Sequence, residues 1–200
     1  MPVFDPQFQH EYLDHKIIVG LERIAQLFKT LLWEFAAGQG ISPIQIQLLI
    51  FIRYHSARHN TVSYLAKEFS VTRPTISDAI KVLEQKGLLK KHYDASDLRS
   101  FHISLSPAGK KMVALTERYT QPMLNWLAAM PQVQKENLWL GLTHLLGAVS
   151  QDGIMRLQRS CYHCAHRSQK GKDFFCGLLQ QKLATKDIRI DCPEFEEMDN

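Results

Sequence analysis

Long apolar runs are missing from this chain: no stretch approaches the roughly 18 apolar residues needed to cross a bilayer, which excludes an obvious membrane span. The opening Met1-Pro2-Val3-Phe4-Asp5 lacks a basic segment followed by an apolar core, so the expected location is the cytoplasm. Glycine is sparse and never spaced as a phosphate-cradling loop, and neither a nucleophile motif nor a paired-carboxylate arrangement is present; an enzyme is therefore not expected. Cysteine is absent from the first 160 residues. The main body must therefore fold without disulfides, which 200 residues with 45% hydrophobic content allow.

Charge of one sign is also scarce over most of the chain, and the net charge of +4 has a local origin. Residues 61–111 hold 9 basic and 5 acidic side chains, whereas residues 1–60 balance at 5 and 5. A local basic excess is what a surface that tracks phosphates requires, because binding releases condensed counterions; a merely solvated basic face is the plainer alternative.

What is present is mostly helical periodicity. Phe8, Tyr12, Ile17, Leu21, Ile24, Phe28, Leu31 and Phe35 recur every three to four positions, predicting one amphipathic helix from about residue 7 to 35, stopped by Gly38-Gln39-Gly40. Ser42-Pro43 starts a second helix, to about Tyr54, apolar almost all round and so expected to be buried. Ser106-Pro107 repeats that start signal for a helix to about Ala129, and a further helix is expected over about residues 132–150.

Between these, Thr61 caps a short helix and Ser70-Val71-Thr72 turns into a second helix from Arg73 to Lys86, stopped by Gly87. Ile76, Ile80 and Leu83, flanked by Ala79, form its inner stripe, leaving Pro74, Asp78, Lys81 and Gln85 outside with Thr75 and Ser77 at the edges. Two such helices joined by a short turn place side chains in a major groove, and Thr72, Arg73, Thr75 and Ser77 stand at the tip where free N–H groups favour phosphate. Leu88 to Tyr93 and Phe101 to Leu105 then read as a hairpin, with Lys90 and Lys91 expected to reach the DNA backbone. Arg99 near its tip suits the minor groove, with Asp97 holding the guanidinium.

Leu65-Ala66, Val71-Thr72-Arg73-Pro74-Thr75-Ile76-Ser77, Leu83-Glu84-Gln85-Lys86-Gly87-Leu88-Leu89, Asp94-x-x-Asp97-x-Arg99 and Leu105-Ser106-x-x-Gly109 together resemble the MarR family of transcriptional regulators. The resemblance spans about residues 5–152. It implies a mainly α (α+β) winged helix-turn-helix with long dimerisation helices, acting as a homodimer on a pseudo-palindromic site in double-stranded DNA. On that reading residues 1–60 carry N-terminal dimerisation and core helices, residues 61–111 the DNA-binding unit and residues 112–152 the C-terminal dimerisation helices. Many relatives sense a small molecule, for which Tyr12, His15, Trp33 and Arg53 are candidate lining residues. Asp78 departs from the pattern, since phosphate repels a carboxylate there unless it accepts from cytosine or restrains Lys81.

The second departure is a small Cys-rich C-terminal extension, residues 153–200. It holds Cys161-x-x-Cys164, Cys176 and Cys192-Pro193, all four cysteines of the chain within 32 positions. In a reducing compartment such clustering points to metal rather than disulfides. A C-x-x-C pair suits both zinc and iron–sulfur iron. One pair plus two isolated cysteines, with no glycine after Cys164, leans towards an iron–sulfur cluster (4Fe–4S or 2Fe–2S), with Zn2+ as a purely structural alternative. His163 and His166 are weaker ligand candidates. Phe174, Phe175, Leu178, Leu179 and Leu183 predict a small helix covering the site, and Ile188 and Ile190 a short extended segment. The combined expectation is a DNA-binding regulator whose tail senses redox or metal state.

Overall fold

The computed structural model describes residues 2–93, 101–151, 159–170 and 173–198, which form two compact units, residues 1–124 and residues 125–200. Among the described residues no single helix is long and apolar enough to cross a membrane.

The first unit begins with a short helix α1 (Pro6–Gln9) and the long α2 (Leu13–Gln39). The continuous helix expected from residue 7 is broken before Leu13, where Tyr12 takes an extended conformation (φ −120°, ψ 126°). Gly40, at φ +63°, ends α2 in the left-handed region that favours glycine. The α3 helix (Pro43–Tyr54) starts with proline in its first turn, and the Ser42 N–H donates to the Gln45 side chain at 2.9 Å. As its composition demands, Ile46, Leu48, Leu49, Phe51 and Ile52 are all buried.

Helices α4 (Val62–Glu68) and α5 (Arg73–Gln85) complete the core with Leu65, Ile76, Ala79, Ile80 and Leu83. Strands β1 (Leu89–Tyr93) and β2 (Phe101–Leu105) pair antiparallel from Leu89↔Leu105 to Tyr93↔Phe101, and Ile103 donates its N–H to the Asn60 carbonyl at 2.9 Å. The hairpin is anchored to the core by Leu88, Leu89 and Ile103. Helix α6 (Pro107–Thr116) follows; the single helix expected to Ala129 instead passes through a 3-10 turn (Glu117–Thr120) before α7 (Gln121–Ala129).

The second unit contains α8 (Gln132–Gln151) together with the cysteine-rich tail. Where a covering helix was expected, residues 167–183 form an antiparallel sheet: β3 (Arg167–Lys170), β4 (Asp173–Cys176) and β5 (Gln181–Leu183), with β4 central. Gly177 and Gln180, the latter at φ +52°, lie in the turn that reverses the chain between β4 and β5. Ile188 lies outside these strands and is buried just after a 3-10 turn (Thr185–Asp187); Ile190 is exposed.

Candidate nucleic-acid interface and four-thiol site

On α5 the apolar stripe fixes which side faces out. Arg73, Pro74, Thr75, Ser77, Asp78 and Lys81 are exposed, whereas Ile76, Ala79, Ile80 and Leu83 are buried. Thr72 is the N-cap: its hydroxyl accepts from the Thr75 N–H at 3.3 Å and lies 2.8 Å from the Thr75 hydroxyl. The cap thus satisfies one free N–H and sets the Thr75 side chain beside the helix tip. Among the described residues no ion pair joins Asp78 to Lys81, so the carboxylate stays on the outer face without restraining that lysine.

On the hairpin, Lys90 is exposed but Lys91 is largely withdrawn. The Lys91 ammonium donates to the Glu84 carboxylate at 2.6 Å and lies 5.3 Å from the centre of the Phe101 ring, tying β1 to the end of α5. Asp97 and Arg99 lie outside the described residues. His92 and His102 stack across the strands at 4.8 Å, a pairing that sequence periodicity did not reveal.

Of the candidate effector residues, Tyr12 and His15 approach each other with ring centres 5.1 Å apart, and Trp33 is exposed. Arg53 instead lines a 400 Å³ cavity with Asn60, His55, His102 and Lys110. Sequence spacing therefore brought two of these four residues together.

In the tail, Cys161, Cys164, Cys176 and Cys192 all line one cavity of about 260 Å³. Backbone pairing puts them there. The Cys164 carbonyl accepts from Arg167 N–H at 3.0 Å as the C-x-x-C turn enters β3, and Arg167 is the register partner of Cys176 on β4. The far end of the tail is laced back: Cys161 N–H donates to the Arg189 carbonyl and Cys192 N–H to the Arg159 carbonyl, both at 2.9 Å. The buried Arg159 guanidinium donates to Asp191 at 2.7 Å. Ala165 N–H donates to the Glu196 carbonyl at 2.8 Å, so the last residues wrap the C-x-x-C turn.

Arg189 directs its backbone N–H to Cys161 Sγ at 3.3 Å and its guanidinium to Cys192 Sγ at 3.9 Å. Burial pushes the Cys161 thiol up from its ordinary range, the Arg189 N–H pulls it down, and the neighbouring Cys192, Cys164 and Cys176 thiols push it up further. All four cysteines are free thiols. Among the described residues no three His, Cys, Asp or Glu side chains are close enough to share one metal ion. His166 also lines the cavity and lies 3.4 Å from Glu196. Arg189 escaped sequence reasoning; an arginine three positions before a candidate ligand was its only cue.

Residues 39–100 match the sequence model of the MarR family, whose members are DNA-binding transcription regulators, not enzymes. The structure is similar to MepR of Staphylococcus aureus in complex with DNA, at 25% identity and a TM-score of 0.56, covering 64% of this chain and 94% of that one. It is also similar in fold to FabT of Streptococcus pneumoniae in complex with DNA, at 23% identity and a TM-score of 0.56, covering 68% and 96% of the two chains. No curated protein matches the chain. Over residues 39–100 the chain therefore carries a segment of the MarR type, folded as the winged helix it shares with MepR and FabT.

Proposed function

We propose that this protein is a transcriptional regulator that binds double-stranded DNA as a homodimer, and that an iron–sulfur cluster held by Cys161, Cys164, Cys176 and Cys192 modulates that binding. The carrying observation is that four thiols spread over 32 positions are gathered around one cavity in a chain that also presents an open helix-turn-helix face. The exposed tip and outer face of α5, Thr72, Arg73, Pro74, Thr75 and Ser77 with Lys81, suit a major groove, and Lys90 and Arg99 suit phosphate and minor groove. Lys91 supports the wing through Glu84 rather than reaching outward.

Homodimerisation is supported by apolar side chains left exposed on the long helices: Leu13, Ile17, Ile24 and Phe28 on α2, and Val133, Leu138 and Leu145 on α8. Faces of this kind are buried by a partner in stable dimers. Sedimentation should give twice the 23.0 kDa chain mass; a monomer at micromolar concentration would contradict this assignment.

The choice of cluster over zinc rests on the spread of the ligands. Structural zinc sites more often use two C-x-x-C pairs, whereas here one pair and two isolated cysteines ring a space of about 260 Å³. A bound cluster would supply a redox-active, oxygen-sensitive centre. The chain's contribution is four thiolates, two sulfur-directed N–H donors from Arg189 and a wall that includes Leu178, Leu179 and Leu183. Protein purified without oxygen should contain matching iron and acid-labile sulfide and be coloured. Colourless protein with about one zinc per chain would overturn the cluster and make the tail structural.

For the DNA face, Arg99→Ala should weaken binding across sequences and reduce the salt slope by about 1, while Thr75→Ala or Ser77→Ala should alter base preference, with about 1–3 kcal/mol lost at the affected position. Filter binding over a salt series checks this; unchanged binding in all three variants would refute the face.

A further inference from the structure

We propose that Tyr162 couples the four-thiol site to helix α8, so that loading or losing the cluster changes the conformation of α8 and through it the DNA affinity. This rests on the reading of the thiols as cluster ligands and names how that site is read out.

Tyr162 occupies the first of the two positions between the paired cysteines Cys161 and Cys164. Its hydroxyl donates to the Thr143 carbonyl of α8 at 2.6 Å. In an α-helix that carbonyl already accepts from the N–H of residue 147, so the phenol adds a second bond to one rung of the helical ladder. The ring lies directly over the other end of that rung: a Cβ at Gly147 would stand 2.9 Å from Tyr162 Cε1. Glycine at 147 is what lets an aromatic ring lie against the helix backbone there. A side chain inserted at a helical rung is a recognised cause of local bending.

The contact belongs to a stripe. Trp139, one turn before Thr143, donates its indole N–H to the Thr185 carbonyl at 3.1 Å. Residues 139, 143 and 147 thus lie at successive four-residue intervals on one side of α8 and all meet the tail. The Tyr162 contact originates inside the C-x-x-C turn itself, between Cys161 and Cys164. With its thiols free the chain already holds the phenol on the Thr143 carbonyl; drawing Cys161 and Cys164 Sγ onto one cluster resets the backbone between them and with it the aim of the phenol at residue 143. Exposed apolar residues of α8, Val133, Leu138 and Leu145, are among those assigned above to the dimer, so a change in α8 acts on the dimer that this reading makes responsible for DNA binding.

The test uses the full-length chain as wild type, Tyr162→Phe and Gly147→Ala. Each is measured loaded without oxygen and after iron chelation, on a DNA fragment enriched from a random pool. Tyr162→Phe keeps the ring and removes the hydroxyl; Gly147→Ala keeps the hydroxyl and forces the ring away. Both variants should retain wild-type iron and sulfide. Amide hydrogen exchange over residues 143–148 should respond to chelation in the wild type and not in the variants. The ratio of loaded to cluster-free affinity should lie within about 5–150-fold in the wild type and fall to within about twofold in both variants. Variants that keep the wild-type ratio and exchange response overturn the coupling role, as does loss of the cluster from Tyr162→Phe, which would place Tyr162 in holding the site. A wild-type ratio of one overturns the sensor reading itself, before the variants are compared.

Discussion

Cys176→Ser is expected to strip the tail of its cluster, with an affinity loss larger than the roughly 10–100-fold that removal of an outer-shell partner brings. The substitution is informative because the strand that carries the residue is held by its neighbours: Cys176 is paired in register with Arg167 on one side and Gln181 on the other. Serine preserves that backbone, so the loss is chemical. A hydroxyl does not ionise near neutral pH and is a poor ligand for iron. Iron and sulfide per chain, with the visible spectrum, read the outcome; full retention with an unaltered spectrum would remove Cys176 from the ligand set. The wild-type site should also shed its cofactor on acidification. Burial and the neighbouring thiols push the Cys161 thiol up from its ordinary range, against the pull of the Arg189 N–H. Binding as thiolate therefore releases a proton, so loading weakens as pH falls and strengthens as it rises. Iron retention that stayed flat from about pH 8 to about pH 6 would contradict thiolate ligation.

Gly109→Ala should be the most damaging single change in the first unit. Its Cβ would stand 2.1 Å from the Leu88 carbonyl oxygen and 3.3 Å from Leu105 Cδ2. Backbone cannot yield there, because the same corner is tied three times. Ser106 N–H donates to Leu88 O at 3.0 Å, the Ser106 hydroxyl donates to Gly87 O at 2.6 Å, and Gly109 N–H donates to that hydroxyl at 3.0 Å. This corner locks α6 against the junction of α5 and β1. Overpacking costs about 1–3 kcal/mol, and a clash with main chain falls at the top of that range, lowering Tm by roughly 10 °C. Gly38→Ala is the control: nothing lies within 4 Å of its Cβ, and alanine should stabilise α2 by up to about 1 kcal/mol. Equal melting temperatures for the two variants would refute the packing account.

The sequence was most readable where one local interaction decides the structure. Ser-Pro starts at residues 42 and 106, the Thr61 cap, the Gly40 and Gly87 stops and the buried stripe of α5 are all formed as the pattern predicts. Reading failed where distant partners decide. Phe174, Phe175, Leu178, Leu179 and Leu183 fit helical spacing, yet Phe174 lies opposite Leu183 in a sheet. A short apolar run cannot separate the two periods, and here Gly177 and the left-handed Gln180 turn the chain between strands. The break before Leu13 and the 3-10 turn at Glu117–Thr120 left no comparable signal in the apolar spacing. The four cysteines announced themselves by clustering, but Arg189 and Tyr162 act through contacts with residues remote in sequence. Gly147, one of two glycines within α8, was the trace of the second.

The most direct test of the account is a fluorescence anisotropy titration of labelled DNA, enriched from a random pool, with one anaerobic preparation before and after its iron is chelated. Sequence-selective binding whose affinity shifts at least about fivefold between the two states is the predicted result. Binding with the same affinity in both states would contradict a cluster that controls DNA recognition, and failure of any sequence to be enriched would contradict the DNA-binding role itself.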